Sequence, residues 1–418
     1  MNVPKLRFDG FSENWIKNTI QYFIDNKSII SHLDGNHGAL YPKSNEFAKA
    51  GIPYITANDF ITGRIDFNRC KYLPEAKAKL FKKGIARNGD VLFAHNATVG
   101  PCAILRTSFN YVILSTTATY YRCDLNKINN IFLLYFFQSD FFVSQYSSIM
   151  SQSTRNQVPI TTQRKLSLAL PTLSEQTKIA NFLTAIDERI TQLTQKYDLL
   201  KQYKKGVMQQ IFSQKLRFKD EDGREFPRWK FKSLQEVCRR IMDGTHFSPK
   251  SKNGSKRYLT SKNIRNSGID LSNCNYISDE EHQEIFMKCP VKIGDILLTK
   301  DGANTGNCCI NSLQEEFSLL SSVAVLDGKA DLVNNIFLLQ VLQSQWGVNE
   351  INNAMAGQAI SRITLEKINK FSFNFPVLLE QTKIANFLTA IDDKIAHTKT
   401  QLDAVKQYKK GLLQQLFV

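Results

Sequence analysis

Two long segments of the chain carry apolar residues in alternating steps of three and four, the spacing that places them on one face of a helix. Pro171 and Pro376 lie just upstream, where the first turn of a helix tolerates proline, and Ser174 is a candidate cap for the first helix. Each segment predicts a helix of about 38 residues, roughly 57 Å long, with the seam of a coiled coil. The first seam consists of Ile179, Leu183, Ile186, Ile190, Leu193, Tyr197, Leu200, Val207 and Ile211, and the second of Ile384, Leu388, Ile391, Ile395, Leu402, Val405, Leu412 and Leu416.

Polar residues interrupt both seams, Lys204 in the first and Thr398 and Lys409 in the second. Apolar seams of this length have to be buried, either against the domain that precedes each helix or against each other. The near-identity of the two seams favours an antiparallel pair that acts as a spacer between globular parts. Gly206 and Gly411 follow lysine pairs and lower the helix propensity there, which marks a bend or a docking point for a partner.

The segments before each helix predict mixed α/β domains. Two strands and a helix occur in the same order in both halves, at 52–56, 91–94 and 129–145 in the first and at 257–260, 296–299 and 334–345 in the second. The most apolar stretch, 131–143, contains polar interruptions and falls short of the ~20 apolar residues of a membrane span. It therefore predicts a buried helix.

Much of the sequence occurs twice. Residues 173–187 return as 378–392 with one difference, Ser174 against Leu379, at an offset of 205 residues. An offset close to half the chain indicates two whole domains in tandem, an approximate internal two-fold and a ligand with two related half-sites. Shorter matches pair 5–8 with 215–218, 34–35 with 243–244, 89–92 with 294–297, 129–134 with 334–339 and 201–206 with 406–411.

Composition favours a polyanionic partner. Lys and Arg total 54 against 38 Asp and Glu, which gives a net charge of +16 and a pI near 9.4, a surplus that suits nucleic acid or an anionic membrane face. Residues 1–8 lack the apolar core of a signal peptide. The eight cysteines form no C-x-x-C pair and have no zinc-like spacing to histidine, so we expect reduced, mostly buried thiols in a cytoplasmic protein.

Polar loops between the predicted elements supply candidate DNA-reading residues, because Arg and Lys pair with guanine edges and Asn and Gln with adenine edges. A loop exposed only to solvent is the alternative at each position. His37 and His246 follow Asp-Gly in predicted turns, where DNA contact is favoured over a structural turn or a two-ligand metal site. Asp90 and Asp295 are instead predicted to shape turns before strands. The candidates are His37, Lys43, Asn58, His95, Asn96, Thr98, Arg155, Asn156 and Gln157 in the first half, and His246, Lys250, Ser261, Lys262, Asn263, Lys300, Asn304, Gln358, Ser361 and Arg362 in the second.

A further pattern combines Leu170-Pro171, Glu175-Gln176 and the run 179–183, twice over, with Gly-Asp-(Val or Ile)-Leu in each preceding domain. This pattern resembles the specificity subunit of type I restriction-modification systems, and the resemblance covers essentially the whole chain. It implies a target recognition domain at 1–170, a conserved helix at 171–214, a second recognition domain at 215–375 and a second conserved helix at 376–418. It also implies that each recognition domain reads one half of a bipartite DNA sequence, while the helices set the gap as an antiparallel coiled coil.

The same resemblance implies a chain without catalytic activity that works through partners. Two methyltransferase subunits that use S-adenosylmethionine would dock on the helices, and a restriction subunit that uses ATP and Mg would join them. We expect no cofactor or metal on this chain itself. The helix lysines predicted to contact a partner are Lys178, Lys204, Lys205, Lys383, Lys409 and Lys410.

The chain matches known catalytic motifs poorly. Residues 374–377 come nearest to the Asn/Asp-Pro-Pro-aromatic motif of adenine methyltransferases but lack the second proline and the aromatic residue, and no Walker-type loop occurs. Asp66, Glu75 and Lys77 have the spacing of a nuclease D…E-x-K triplet, although the second half of the chain has no clear equivalent. Two alternatives to the specificity subunit stay open, a non-catalytic protein-interaction scaffold and, with weaker support, a stand-alone DNA endonuclease.

Overall fold

The structure, a computed structural model, describes residues 3–35, 40–61, 63–151, 156–251, 253–356 and 362–418. It divides into two compact units. The first consists of Met1–Thr194 and Thr400–Val418, and the second of Gln195–Lys399. Each unit therefore combines one globular domain with the beginning of one long helix and the end of the other.

The elements of the first unit in chain order are β1 (Ile16–Thr19), α1 (Ile20–Asp25), β2 (Ile29–Asp34), β3 (Ile52–Ile55), β4 (Phe60–Ile61), β5 (Arg64–Ile65), β6 (Lys71–Leu73), α2 (Glu75–Ala78), β7 (Ile85–Ala86), β8 (Val91–Asn96), β9 (Thr98–Ile104), β10 (Val112–Leu114), β11 (Ala118–Cys123), α3 (Asn130–Gln138), α4 (Asp140–Met150), α5 (Ile160–Gln163), β12 (Ser167–Leu170) and the long helix α6 (Leu173–Phe212), which continues into the second unit. The described residues of this unit form two four-stranded sheets, β6-β3-β10-β7 and β2-β11-β8-β9, and two strand pairs, β1-β12 and β4-β5.

The elements of the second unit are β13 (Lys230–Ser233), α7 (Leu234–Val237), β14 (Cys238–Asp243), β15 (Lys256–Leu259), β16 (Ile264–Arg265), β17 (Gly268–Ile269), β18 (Asn275–Ile277), α8 (Asp279–Lys288), β19 (Ile296–Thr299), β20 (Cys308–Ile310), β21 (Ser318–Leu319), β22 (Val323–Gly328), α9 (Asn335–Gln343), α10 (Gln345–Met355), α11 (Leu365–Lys370), β23 (Ser372–Phe375) and the long helix α12 (Leu378–Gln415), which returns to the first unit. This unit repeats the plan of the first in its described residues, with a four-stranded sheet β14-β22-β19-β20, a three-stranded sheet β18-β15-β21 and the pairs β13-β23 and β16-β17.

The helices predicted over 129–145 and 334–345 are each divided in two, which corrects that prediction. Ser139 has extended backbone after α3, and its hydroxyl accepts from the amide of Phe142 at 3.3 Å. Ser344 caps α10 in the same way, accepting from Trp346 at 3.2 Å. The prediction missed these breaks because the apolar spacing continues across a single capping serine.

The repeated Glu-Gln pair joins each long helix to its domain. Glu175 is fully buried and accepts from Arg7 through both carboxylate oxygens, at 2.8 Å each. Glu380 holds Arg217 at 3.1 and 2.8 Å. The adjacent Gln176 accepts from the Asn129 amide at 2.9 Å, and Gln381 binds Asn334 equivalently. The repeated Arg, Glu, Gln and Asn residues therefore make equivalent contacts in both units, and these contacts form a frame that the two domains share.

The two long helices contain 40 and 38 residues, close to the predicted length. In the first unit Phe417, after the end of α12, packs on Trp15, whose indole lies 3.4 Å from Glu175 at the start of α6. Further along, Lys409 contacts Asp187, so the helices run antiparallel in this unit, as predicted.

The second unit has the same arrangement, since Phe212 and Trp229 pack on Trp346 while Lys204 contacts Asp392. Both predicted ways of burying the seams occur, because most seam residues pack against the partner helix and against the domain helix α3 or α9 in the core of each unit. No helix in the described ranges is long and apolar enough to cross a membrane.

Candidate nucleic-acid interface

Three loops of the first unit meet at Thr117, between β10 and β11. The amide of Ala57, after β3, donates to Thr117 Oγ1 at 2.9 Å, and the amide of His95 donates to the Thr117 carbonyl at 3.0 Å. Val158 donates in turn to the His95 carbonyl at 2.8 Å. The predicted loops at 57–59, 95–98 and 156–157 are thereby brought together.

The turn between β8 and β9 is tied to the third of these loops. Ala97 has a φ of 64°, in the left-handed region that non-glycine residues seldom adopt. Its carbonyl accepts from Asn156 Nδ2 at 2.9 Å, and Asn96 forms a backbone bridge with Gln157. Thr98 and Asn156 remain exposed on this turn, where a ligand can reach them.

The second unit builds the same junction at Ser322, 205 residues beyond Thr117. The amide of Ser261 donates to Ser322 Oγ at 3.0 Å, and the amide of Lys300 donates to the Ser322 carbonyl at 2.9 Å. Ile363 donates to the Lys300 carbonyl at 2.7 Å. Asn304 also joins this junction, because its Nδ2 donates to the Ser261 carbonyl at 3.2 Å.

The Asp-Gly turn lies beside this junction in the second unit. A Cβ atom on Gly244 would lie 1.9 Å from the Leu319 carbonyl oxygen, so the close approach requires glycine. The next residue, Thr245, donates its amide to Leu319 at 2.8 Å and accepts from Ser321 at 2.8 Å. His246 is therefore presented next to the loops that meet at Ser322.

A buried ion pair supports the second junction. Lys300 Nζ lies 2.9 Å from Asp243 Oδ2, and both side chains are largely buried. The other oxygen of Asp243 lies 3.4 Å from Nε2 of the exposed His246. Arg362 lies 3.9 Å from Asp301 on the neighbouring loops. Around the second junction, carboxylate oxygens therefore lie within 4 Å of the side chains of Lys300, His246 and Arg362.

The predicted DNA-reading residues fall into four groups. Exposed are Lys43, Asn58, Thr98, Asn156, His246, Lys250, Lys262 and Arg362, and half-buried are Asn96, Gln157, Ser261 and Asn304. His95, Asn263 and Lys300 are buried. His37, Arg155, Gln358 and Ser361 lie outside the described residues.

The three buried candidates, His95, Asn263 and Lys300, lie behind the loop surface and support it. Asn263 closes its own loop by accepting from the Thr260 amide at 3.0 Å and donating to the Asp270 carbonyl at 3.0 Å. Lys43 and Lys250 are exposed, but their amides bind Glu46 and Glu281. None of these contacts joins Lys43 to Thr117 or Lys250 to Ser322.

Asp90 and Asp295 shape turns, as predicted. Asp90 accepts from the Arg87 amide at 2.7 Å, and Asp295 accepts from the Lys292 amide at 2.7 Å. Burial raises the pKa of Asp295, and the adjacent Arg240 opposes that rise. Neither carboxylate is presented to a ligand by these contacts.

The second unit contains a basic groove that the sequence did not predict. This groove has a volume of about 800 Å³ and lies between the end of α6 and helix α10. Lys201, Lys205 and Lys215 line it with the apolar side chains of Phe212 and Trp346. The repeated Lys-Gln-Tyr-Lys-Lys-Gly segment indicated Lys201 and Lys205 of this groove, but the contribution of α10 depends on tertiary packing and could not be predicted.

Each unit thus presents a matching set of polar loops on a matching frame, which defines a protein with two structurally related loop surfaces. A family model described as the type I restriction modification DNA specificity domain matches residues 28–202 and again 227–407. Because these matches cover most of the chain, the protein belongs to that family.

Named relatives agree with this assignment. The putative type I restriction enzyme MjaX specificity subunit of Methanocaldococcus jannaschii is 24% identical, with 99% of this chain and 95% of that protein aligned. The MjaVIII specificity subunit of the same organism is 22% identical, with 89% of each covered.

Two solved structures share the fold. The S subunit of a type I restriction-modification system from M. genitalium has a TM-score of 0.60 at 15% identity, covering 100% of this chain and 99% of that one. A chain from a study of complex assembly and conformational transition of the type I R-M system has a TM-score of 0.58 at 18% identity, covering 97% and 98%.

Proposed function

We propose that this chain is a non-catalytic, sequence-specific DNA-binding subunit whose two recognition domains each read one half of a bipartite target. The observation that carries the proposal is the repeated junction, because equivalent loops meet at Thr117 and at Ser322. The frame is shared while the loop side chains differ, which suits two different half-sites read on one duplex.

Exposed loop residues are assigned the base contacts. In the first domain these are Asn58, Thr98 and Asn156, and in the second His246 and Lys262. Arg, Lys and Asn side chains match base edges in the major groove, while other lysines and arginines contact phosphates and set orientation. The net charge of +16 supports that phosphate component.

The long helices are proposed to set the spacer between the half-sites and to dock two methyltransferase subunits. The basic groove supports a docking role, since Lys201, Lys205 and Lys215 surround aromatic and apolar side chains. S-adenosylmethionine would bind in the methyltransferase, and ATP and Mg in a restriction subunit. The complex would act in the bacterial cytoplasm.

The decisive experiment reconstitutes the chain with its methyltransferase partner and sequences the modified bases. Replacing residues 215–375 with another recognition domain should change one half of the methylated motif and preserve the other. A change in both halves would contradict the division of labour. Binding should also weaken tens-fold or more between low and physiological salt, and a flat response would count against phosphate contacts.

Single substitutions sharpen this experiment. Lys262→Ala should reduce methylation through the second half-site, whereas Lys288→Ala removes an equally charged, exposed lysine of α8 and should leave it unchanged. Asn156→Ala should act on the first half-site, with the exposed Asn126→Ala as its control. Equal effects of a variant and its control on methylation would contradict the assignment of base contacts to Lys262 or Asn156.

The alternatives predict different results. A protein-interaction scaffold would show no sequence preference with the partner present and random duplex DNA. A stand-alone nuclease would cut DNA without partners in a metal-dependent way and lose this on Glu75→Ala. In the structure Lys77 pairs with Glu46, while Glu75 lies 3.9 Å from Lys79.

A further inference from the structure

The two lysines that interrupt the seams both reach an aspartate on the other long helix. Lys409 Nζ lies 2.7 Å from Asp187 Oδ1 in the first unit, and Lys204 Nζ lies 2.7 Å from Asp392 Oδ1 in the second. Each lysine side chain is 14% exposed. Positions predicted as weak points of the seam, and as partner contacts, are thus occupied by interhelical ion pairs.

A third group joins each pair from the globular domain. Tyr135 Oη, on α3, donates to Asp187 Oδ2 at 2.8 Å, and Gln340 Nε2, on α9, donates to Asp392 Oδ2 at 3.0 Å. Tyr135 and Gln340 are themselves 205 residues apart. Each aspartate therefore connects three helices of its unit: the domain helix, α6 and α12.

The apolar seam alone specifies the register poorly. The heptad neighbours of Lys409 are Leu402 and Leu416, and those of Lys204 are Tyr197 and Ile211. A slip of one heptad would still place apolar seam positions of the two helices opposite each other while shifting a helix by roughly 10 Å.

Such a slip would separate both ion pairs. In the first unit Lys409 would face Ala180 or Thr194, and Asp187 would face the position of Leu402 or Leu416. In the second unit Lys204 would face Ala385 or Lys399. Each slipped register leaves a half-buried charge unpaired or beside a like charge, which is unfavourable.

We infer that Asp187–Lys409–Tyr135 and Asp392–Lys204–Gln340 are positioning clusters that fix the register of the long helices and seat each domain helix on them. A single polar pair within an apolar seam is the best-attested way of fixing helix register. The consequence for spacer length rests on the proposed function, but the register itself does not.

The test measures the register directly in the full-length chain. Spin labels at cysteines replacing Gln192 and Lys406, both exposed on the paired helices of the first unit, report one interhelical distance, with the half-buried Cys274 changed to serine. Wild type should give one narrow distance distribution. Asp187→Asn and Lys409→Met should each give a broadened or second distance, because a one-heptad slip moves one label roughly 10 Å along the helix axis relative to the other.

Charge exchange supplies a matched control within the chain. Asp187→Lys with Lys409→Asp re-forms the pair and should restore the single distance. The combination of Asp187→Lys with Lys204→Asp has the same composition and net charge as the first exchange. It places like charges together in both units, so the single label distance should not return. A wild-type distance in folded Asp187→Asn and Lys409→Met proteins, or equal behaviour of the two exchanges, would overturn the inference.

Methylation by the reconstituted complex separates the two proposals. If the variants change the label distance and also relax the spacer of the methylated motif, both stand. If the distance changes while the spacer stays fixed, the clusters set the register but the helices do not act as the ruler. Circular dichroism on each variant identifies loss of folding, for which the conservative Asp187→Asn is the least disruptive change.

Discussion

His32 stacks on Tyr121 across neighbouring strands of the first unit, with ring centroids 4.1 Å apart and planes inclined by 21°. His32 Nε2 lies 3.2 Å from Gln163 Oε1, which also accepts from Tyr121 Oη at 2.7 Å. Burial lowers the pKa of His32 from its ordinary 6.5 to about 3. In the second unit Ile241 and Leu326 occupy the equivalent pair of strand positions, so this titrating group belongs to the first unit.

The first prediction concerns acid stability. Below pH 6.5 the unfolded chain binds a proton at His32 that the folded chain does not, so the free energy of unfolding falls as pH decreases toward 3, by about 1.4 kcal/mol per pH unit. His32→Phe keeps the stack and should remove about 2 kcal/mol of the difference between pH 7.5 and 5.0 in urea titrations. His397 is exposed, and His397→Ala should keep the wild-type difference in the free energy of unfolding between the two pH values. The same difference in His32→Phe as in wild type would refute the prediction.

The second prediction concerns the buried Glu175. Arg7→Met retains an apolar stem but leaves this carboxylate without its cation, and the expected loss of stability is about 3–5 kcal/mol. Denaturant unfolding measures it. Arg224→Met is the control, because Arg224 pairs with Asp222 at 2.9 Å on the surface and its loss should be undetectable. A loss below about 1 kcal/mol for Arg7→Met would show that Glu175 does not depend on its partner.

The third prediction contrasts two classes of glycine. A Cβ on Gly411 would have nothing within 4 Å, so Gly411→Ala should stabilise the isolated chain by about 0.5–1 kcal/mol. Gly244→Ala should destabilise it because the new Cβ would collide with the Leu319 carbonyl. If Gly411 is a docking point, its alanine variant should also bind the methyltransferase more weakly in co-purification, and unchanged binding would leave only the helix effect.

The fourth prediction concerns thiol reactivity. Seven of the eight cysteines are buried, and Cys274 is half-buried. Burial raises the pKa of Cys102 and of Cys238 to about 12, so few thiolates form near neutral pH. A maleimide at pH 7.5 should therefore modify Cys274 before any other cysteine, which peptide mass spectrometry of the native protein would show. Rapid labelling of several cysteines would contradict the packing.

The sequence predicted the parts of the molecule that depend on local pattern. The long helices, their antiparallel pairing and the strands at 52–56 and 91–94 follow from apolar spacing and from the duplication. The breaks at Ser139 and Ser344 were missed because one capping residue decides them.

The candidate site was predictable only in part. Loop composition identified the segments that meet at each junction, but Thr117 and Ser322, which hold them, carry no distinctive chemistry of their own. Lys300 was predicted as a surface cation and is buried against Asp243, because its place depends on a strand from elsewhere in the domain. Lys204 and Lys409 likewise gained their aspartate partners through the pairing of distant segments.

The end of α12 and the residues that follow it contribute Leu412, Leu416 and Phe417 to the core of the first unit. The first domain therefore cannot complete its packing during synthesis until residues 412–417 have left the ribosome. A premature stop just before these residues would damage the domain translated first and leave untouched the residues that make up the second unit. Loss of residues 412–417 would therefore destabilise a domain that is formed mainly by residues 1–194.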